Sequence, residues 1–271
     1  RPAVGLGVVL PAGVRAEVAD IRLLVVGTDA PLPDRRDPFA LEAVLRPARQ
    51  LQLGQAHVQL PLQVGVHRVA ADAPAADLDG NLFVVNFGKP GTIGRLPAGG
   101  TASEPFTALP EGSVGNAIRF DRSGAMFIAD YKKHNIFTIP KGATEPSVWF
   151  HSDEMNQPND ITIARDGTIY ASDPNWKGRE GHIWRIARAA DGSVQGQVMS
   201  APRAMGTTNG IDLSPDGKTL YVGESSSGQI WSYAINGNEL TGAKLIKTFQ
   251  PDTVDGLRTD VAGRLYIARI L

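Results

Sequence analysis

A glycine-ended turn recurs five times along the chain, and it constrains the fold more than any other feature of the sequence. The five strings are AADLDGNLFVVN, IRFDRSGAMFIAD, ITIARDGTIYASD, IDLSPDGKTLYVGE and LRTDVAGRLYIAR, with glycines at 80, 124, 167, 217 and 263. Their intervals of 44, 43, 50 and 46 residues are those of an array in which each repeat is one supersecondary unit. In each copy a short alternating strand enters the turn and a strand of β-branched and aromatic residues leaves it, which is hairpin chemistry. A third strand follows in GTIGRL, NIFTI, GHIWRI and GQIWSY, and a fourth in PFTAL, SVWFH, GQVMS and AKLIKTF. Four antiparallel strands per repeat make the blade of a propeller, and stacking blades in a ring protects their edges.

The chain divides in two by composition. Residues 1–71 are rich in Ala, Val, Leu, Pro and Arg and contain no Lys, Ser, Asn, Tyr or Trp. DPFALEAVLRPARQLQ, over residues 37–52, has an Asp cap and a helical pattern that Pro47 interrupts, and residues 4–26 and 58–69 have strand character. This segment reads either as a divergent N-terminal piece packed on the rest or as an altered reading frame in a GC-rich gene. Residues 72–271 carry the repeats. Five inner-strand motifs are present there, the fifth ending after its second strand, so a six-fold ring needs more strands than this region supplies.

The sharpest signal lies eight positions before each aligned glycine. The residue there is polar in every copy: Asp72, Asn116, Asn159, Asn209 and Asp255. A single Asn or Asp before a strand usually makes a turn by bonding nearby backbone; five in phase, at the entry of the strand that lines a propeller's tunnel, form a ring of oxygen-bearing side chains. Amide and carboxylate oxygens without His or Cys suit a hard cation, with calcium ahead of magnesium and manganese, and zinc less natural. A second phased set, Asn86, Asp130, Asp173, Glu224 and Arg269, follows the glycines. Caps and turns between the second and third strands are its plainer account.

Other signatures are missing. There is no GxSxG elbow, HExxH or GxxxxGK[ST] in the sequence, which removes the usual entry points to serine hydrolase, zincin and nucleotide readings. The absence of cysteine excludes disulfides and thiolate ligands and fits a cytoplasmic or periplasmic setting equally. A net charge of −1 offers no long-range field for nucleic acid or an anionic membrane surface, and no apolar run approaches a membrane span, so a soluble chain with a small substrate is expected. The five histidines share no repeat phase, and of the four tryptophans only Trp176, in DPNWKGREG, has the setting of a pocket residue.

The strings PNDITIARDGTIYASDP, NGIDLSPDGKTLYVGES and DGLRTDVAGRLYIA, with the weaker AADAPAADLDGNLFVVN, resemble the family of senescence marker protein, gluconolactonase and luciferin-regenerating enzyme. The resemblance covers residues 72–271 and implies a six-bladed β-propeller with a divalent metal in its tunnel. It places the metal ligands on Asp72, Asn159, Asn209 and Asp255, and Asp72 departs from the pattern because Glu is expected there. Calcium is the expected ion, with manganese, magnesium, zinc or iron as alternatives. The implied reaction is hydrolysis of an aldonolactone to its open acid, with Asp255 as the base and Asp160 as the second choice. Asn116, Asp173, Trp176 and Glu224 are the candidate substrate contacts. A non-catalytic binding propeller and a metal-dependent phosphotriesterase or esterase are the rival readings, which a metal titration and side-by-side assays would separate.

Overall fold

A computed structural model of the chain describes residues 21–26, 74–86, 88–250 and 253–270. Asp72, the helix expected over 37–52 and the strand expected over 58–69 lie outside the described residues. Strand β1 (Ile21–Val26) precedes four antiparallel meanders. The first is β2 (Ala75–Ala76), β3 (Leu82–Asn86), β4 (Thr92–Leu96) and β5 (Glu104–Ala108). The second is β6 (Gly115–Phe120), β7 (Met126–Asp130), β8 (Asn135–Ile139) and β9 (Ser147–His151). The third is β10 (Ile161–Ile163), β11 (Ile169–Asn175), β12 (Glu180–Arg188) and β13 (Val194–Val198), and the fourth is β14 (Thr208–Leu213), β15 (Thr219–Glu224), β16 (Gln229–Asn236) and β17 (Glu239–Thr248). Strands β18 (Thr253–Thr259) and β19 (Leu265–Ile270) begin a fifth sheet of order β1-β19-β18.

The fifth repeat, which ends after two strands, thus takes a third from the N-terminal region: β1 pairs antiparallel with β19 from Ile21↔Ile270 to Val26↔Leu265. Among the described residues the one helical element is a 3-10 turn at Ser225–Ser227. No helix among them is long and apolar enough to cross a membrane. The all-β expectation holds.

Each aligned glycine closes the hairpin between the first and second strands of its sheet. Gly80, Gly124, Gly167, Gly217 and Gly263 all have φ between 72° and 85°, a left-handed conformation that side chains resist. The repeat in the sequence is therefore a repeat of backbone geometry.

Successive sheets pack face to face through four apolar clusters. Strand β7 shows why its sequence, MFIAD, is a continuous buried run rather than an alternating one. Met126 and Ile128 face the first sheet and pack with Phe83, Val85 and Ile93. Phe127 and Ala129 point the other way, toward Ile161, Ile169 and Trp184 of the third. A strand covered on both faces needs apolar residues at every position. Similar clusters join the third sheet to the fourth around Ile183, Ile211 and Tyr233, and the fourth to the fifth around Ile230, Val254 and Ile267.

The first strands β2, β6, β10, β14 and β18 are neighbours in that order. Three carry a one-residue irregularity in their pairing, between Gly115 and Ala117, Thr208 and Ile211, and Val254 and Leu257. Strand β14 comes closest to β18 at Gly210, where a Cβ would lie 2.5 Å from Leu257 N and closer still to the Asp255 carbonyl oxygen. Gly210→Ala should lower stability by about 1–3 kcal/mol or more, because backbone cannot rotate out of the way. Gly256→Ala, where a Cβ meets nothing within 4 Å, should stay within about 0.5 kcal/mol of the parent. Urea midpoints of the two variants check the contrast, and equal losses would show that the strands do not abut at Gly210.

Candidate functional site

The irregularities in the first strands fall on the ring residues. Asn116 is the extra residue between Gly115↔Asp130 and Ala117↔Ala129. Asn209 and Gly210 face one residue of β15, and Asp255 and Gly256 face one of β19. An extra residue breaks the two-residue alternation and re-aims its side chain, here away from the apolar layers between sheets. Asn159 and Asp160 reach the same place differently. They precede β10, held by Asn159 N–H on the Ser172 carbonyl at 2.9 Å and by Ser172 N–H on the Asp160 carbonyl at 2.9 Å.

Asn116, Asn159, Asn209 and Asp255 thereby line one cavity of about 10 Å³, together with Ala117, Asp160 and Gly256. That is room for one water-sized occupant. The fifth phased residue, Asp72, lies outside the described residues. Hydrogen bonding sets the direction of two amides. Asn116 Nδ2 donates to the Asn159 carbonyl at 3.1 Å, and a carbonyl can only accept, so Asn116 Oδ1 faces elsewhere. Asn209 Nδ2 donates to Ser225 Oγ at 2.9 Å and to Asp255 Oδ1 at 3.1 Å, which likewise leaves Oδ1 as the outward acceptor. Among the described residues no group of three or more His, Asp or Glu is placed to hold a metal. A cation here would be held by carboxamide oxygens and the Asp255 carboxylate, a donor set that fits a hard divalent ion.

Beneath the cavity lies a buried charge network. Asp160 Oδ1 accepts from Ile161 N–H at 2.8 Å and from the Arg119 guanidinium. Its Oδ2 accepts from Ile211 N–H at 3.2 Å and from Arg258 Nη1 at 3.3 Å. Asp212 Oδ1 accepts from Thr162 Oγ1 at 2.7 Å and Leu213 N–H at 2.9 Å, and its Oδ2 from Thr259 N–H at 2.7 Å. Burial pushes the Asp160 carboxyl up to about 6 while Arg119 pulls it down. Burial also raises Asp212, against the hydroxyl of Thr162. The sequence reading did not single out this network, yet a signal was there: Arg119, Thr162, Asp212 and Arg258 each stand three residues after a ring position.

The other candidates do not line the cavity. Asp173 accepts from Asn156 N–H at 2.9 Å, Gln157 N–H at 2.6 Å and Trp184 Nε1 at 3.0 Å. Glu224, 1 % exposed, pairs with Arg203 through Oε1 at 2.5 Å and Oε2 at 3.2 Å. Asp130 accepts from Val114 N–H at 2.9 Å and Asn135 Nδ2 at 2.9 Å. Asp130 also accepts from Lys132 N–H and Lys133 N–H in the turn between the second and third strands, as expected of this set, whereas Asp173 ties down the loop before β10 and Glu224 makes no cap bond. Trp176 is 43 % exposed in the loop joining β11 to β12. A larger cavity of about 370 Å³ is lined by residues 225–228, Phe249, Gln250 and Thr253; Ser225 is the residue it shares with the bonds around the ring.

Comparison with known proteins follows the repeats. Residues 91–271 match the family model described as the SMP-30/Gluconolactonase/LRE-like region. A gluconolactonase of Zymomonas mobilis is 24 % identical over 180 residues, covering 56 % of this chain and 48 % of its own. An adipocyte plasma membrane-associated protein of Gallus gallus is 23 % identical over 253 residues, covering 86 % and 60 %. The chain thus spans about half to three fifths of the length of these relatives. Among solved structures, regucalcin of Agrobacterium tumefaciens, described as a calcium-binding protein, superposes with a TM-score of 0.60 at 19 % identity, covering 75 % of this chain and 68 % of that one. At that identity the likeness is one of fold.

The charge network generates its own test. Asp160→Asn removes the carboxylate that Arg119 and Arg258 share and leaves Arg119 with Asp212 as its remaining buried counter-charge. Breaking one side of a buried ion pair costs about 3–5 kcal/mol, so the urea midpoint should fall accordingly. A variant as stable as the parent would mean that the first strands are held together without Asp160.

Proposed function

Because the chain belongs to the SMP-30/Gluconolactonase/LRE-like family, we propose that it is a metal-dependent lactonase that opens a small sugar lactone to its hydroxy acid. The observation that carries this reading is the meeting of Asn116, Asn159, Asn209 and Asp255, in phase in the sequence, on the wall of one cavity. We further take the fold to be a six-bladed propeller, with the described sheets as five of its blades. Residues 1–71 form an atypical segment on this reading, of which β1 joins the last sheet, and residues 72–271 carry the repeats of the propeller domain.

The ion would be held by Asn159, Asn209 and Asp255, with Asp72 as the fourth ligand, and calcium is the first choice. When bound, it supplies Lewis-acid polarisation of the lactone carbonyl. The chain's own groups do the rest. Asp255 accepts a proton from the attacking water as its oxygen bonds to the carbonyl carbon, then returns that proton to the ring oxygen when the C–O bond breaks. Asn209 Nδ2, at 3.1 Å from Asp255 Oδ1, fixes the carboxylate's orientation. Asn116 turns its carboxamide oxygen away from the Asn159 carbonyl and so presents an acceptor for a substrate hydroxyl. Asp160 is placed less well for base chemistry, since both its oxygens already accept from guanidinium and backbone donors. A lactone is already activated, so one base suffices without a covalent nucleophile.

Asp255→Asn keeps the side chain's size while removing its charge and its proton affinity. The metal-dependent rate of lactone opening, followed as acid release at fixed pH with spontaneous hydrolysis subtracted, should fall by about 10²–10⁴ or more. A chelator should abolish the parent's rate and added calcium restore it. An Asn variant matching an active parent removes Asp255 as the base. A parent with no metal-dependent rate on aldonolactones overturns the lactonase reading, and turnover of an organophosphate in the parallel assay would replace it with phosphotriester hydrolysis.

A further inference from the structure

We infer that Ser225 is a positioning residue of the ring: its hydroxyl, together with the Asp255 carboxylate, sets which way the Asn209 carboxamide faces and thereby presents Asn209 Oδ1 to the cavity. The inference rests on the site reading above and concerns a residue outside the repeat phase.

Donors and acceptors fix the orientation of the amide. Ser225 Oγ lies 2.5 Å from the Val254 carbonyl oxygen. That oxygen can only accept, so the single hydroxyl proton of Ser225 goes to it. What remains on Oγ is lone pairs, and the group 2.9 Å away on Asn209 must be a donor. The amide is therefore held with Nδ2 toward Ser225. The same Nδ2 gives its second proton to Asp255 Oδ1 at 3.1 Å, so both amide protons are used and Oδ1 is the atom turned outward. Ser225 is itself fixed: its N–H bonds the Thr207 carbonyl at 2.9 Å, it opens the 3-10 turn Ser225–Ser227, and it is 6 % exposed.

The device also joins two sheets. Ser225 and Asn209 belong to the fourth, Val254 and Asp255 to the fifth, and the hydroxyl sets the amide of one against the carbonyl just before the carboxylate of the other. Without it, the Asp255 carboxylate is left to hold Nδ2 by one bond, and a carboxamide that swings about that bond no longer holds Oδ1 toward the cavity. Groups that orient ligating side chains typically carry about 10–100-fold in metal affinity.

The test titrates Ca²⁺ into the chelator-stripped full chain and reads its affinity in the parent and in Ser225→Ala, Ser225→Thr and Ser225→Val. The Thr and Val variants have nearly the same size and differ in the hydroxyl, so their contrast stands even where Ala fails to fold. Ala and Val should bind Ca²⁺ about 10–100-fold more weakly than the parent, with Thr restoring most of the loss. A metal-free readout accompanies it: in asparagine-labelled protein, the Asn209 amide protons should exchange slowly with solvent in the parent and Thr variant and rapidly in Ala and Val. Equal affinities and equal exchange across the series overturn the inference while leaving the ring standing. A parent that shows protected Asn209 protons but no stoichiometric Ca²⁺ site overturns the site reading and keeps only the amide orientation.

Discussion

Two buried carboxylates hold the first strands β6, β10, β14 and β18 to one another, and the geometry of the site depends on that. Asp160, from the third sheet, reaches Arg119 of the second, Ile211 N–H of the fourth and Arg258 of the fifth. Asp212, from the fourth, reaches back to Thr162 and forward to Thr259 N–H. The apolar clusters join each sheet only to its neighbours, whereas these polar bonds cross several sheets at once. Hydrophobic packing is non-directional and sets that the sheets stack; hydrogen bonds of fixed length set where the first strands stop sliding.

Strand irregularities turn that convergence into a site. In a regular strand covered on both faces, a polar side chain would point into one apolar layer or the other and be left without partners. The extra residue at Asn116, at Asn209–Gly210 and at Asp255–Gly256 takes the polar side chain out of that alternation. Gly210 is required by the same geometry, since the backbone of β18 occupies the space a side chain would need. The ring residue, the glycine after it and the close approach of two strands are one structural solution.

Much of this was legible in the sequence. The strands of the four complete sheets follow the strings read as strands, because the turn glycines need positive φ and mark the hairpins directly. The ring positions stood out because the chain repeats and a phase can be counted. Their roles as ligands or base are not fixed by that phase, which is why they enter the functional argument as proposals. The charge network was less legible. Arg119, Thr162, Asp212 and Arg258 share a phase but not a chemical type, so the pattern shows only when opposite charges are seen to meet across sheets. Ser225 gave no signal, because its partners, Asn209 and the Val254 carbonyl, are 16 and 29 residues away and a backbone acceptor carries no side-chain identity. The third strand of the fifth sheet comes from the compositionally foreign region, where β1 reads as one apolar run among several.

The charge balance of the network also bears on the proposed cation. A lone guanidinium near the cavity would repel a divalent ion, and both guanidiniums reach Asp160 on the cavity wall. Arg119 and Arg258 each stand three residues after a ring position, Asn116 and Asp255. Left unpaired, they would oppose any cation at the ring; instead both pair with Asp160, and Arg119 also feels the charge of Asp212. On the cavity wall the Asp255 carboxylate then stands beside Asp160, with the amides of Asn116, Asn159 and Asn209 around them. The network that fixes the first strands in place thus also offsets a positive field near the ring, so the chain can use arginines to bind its sheets together without opposing the proposed cation.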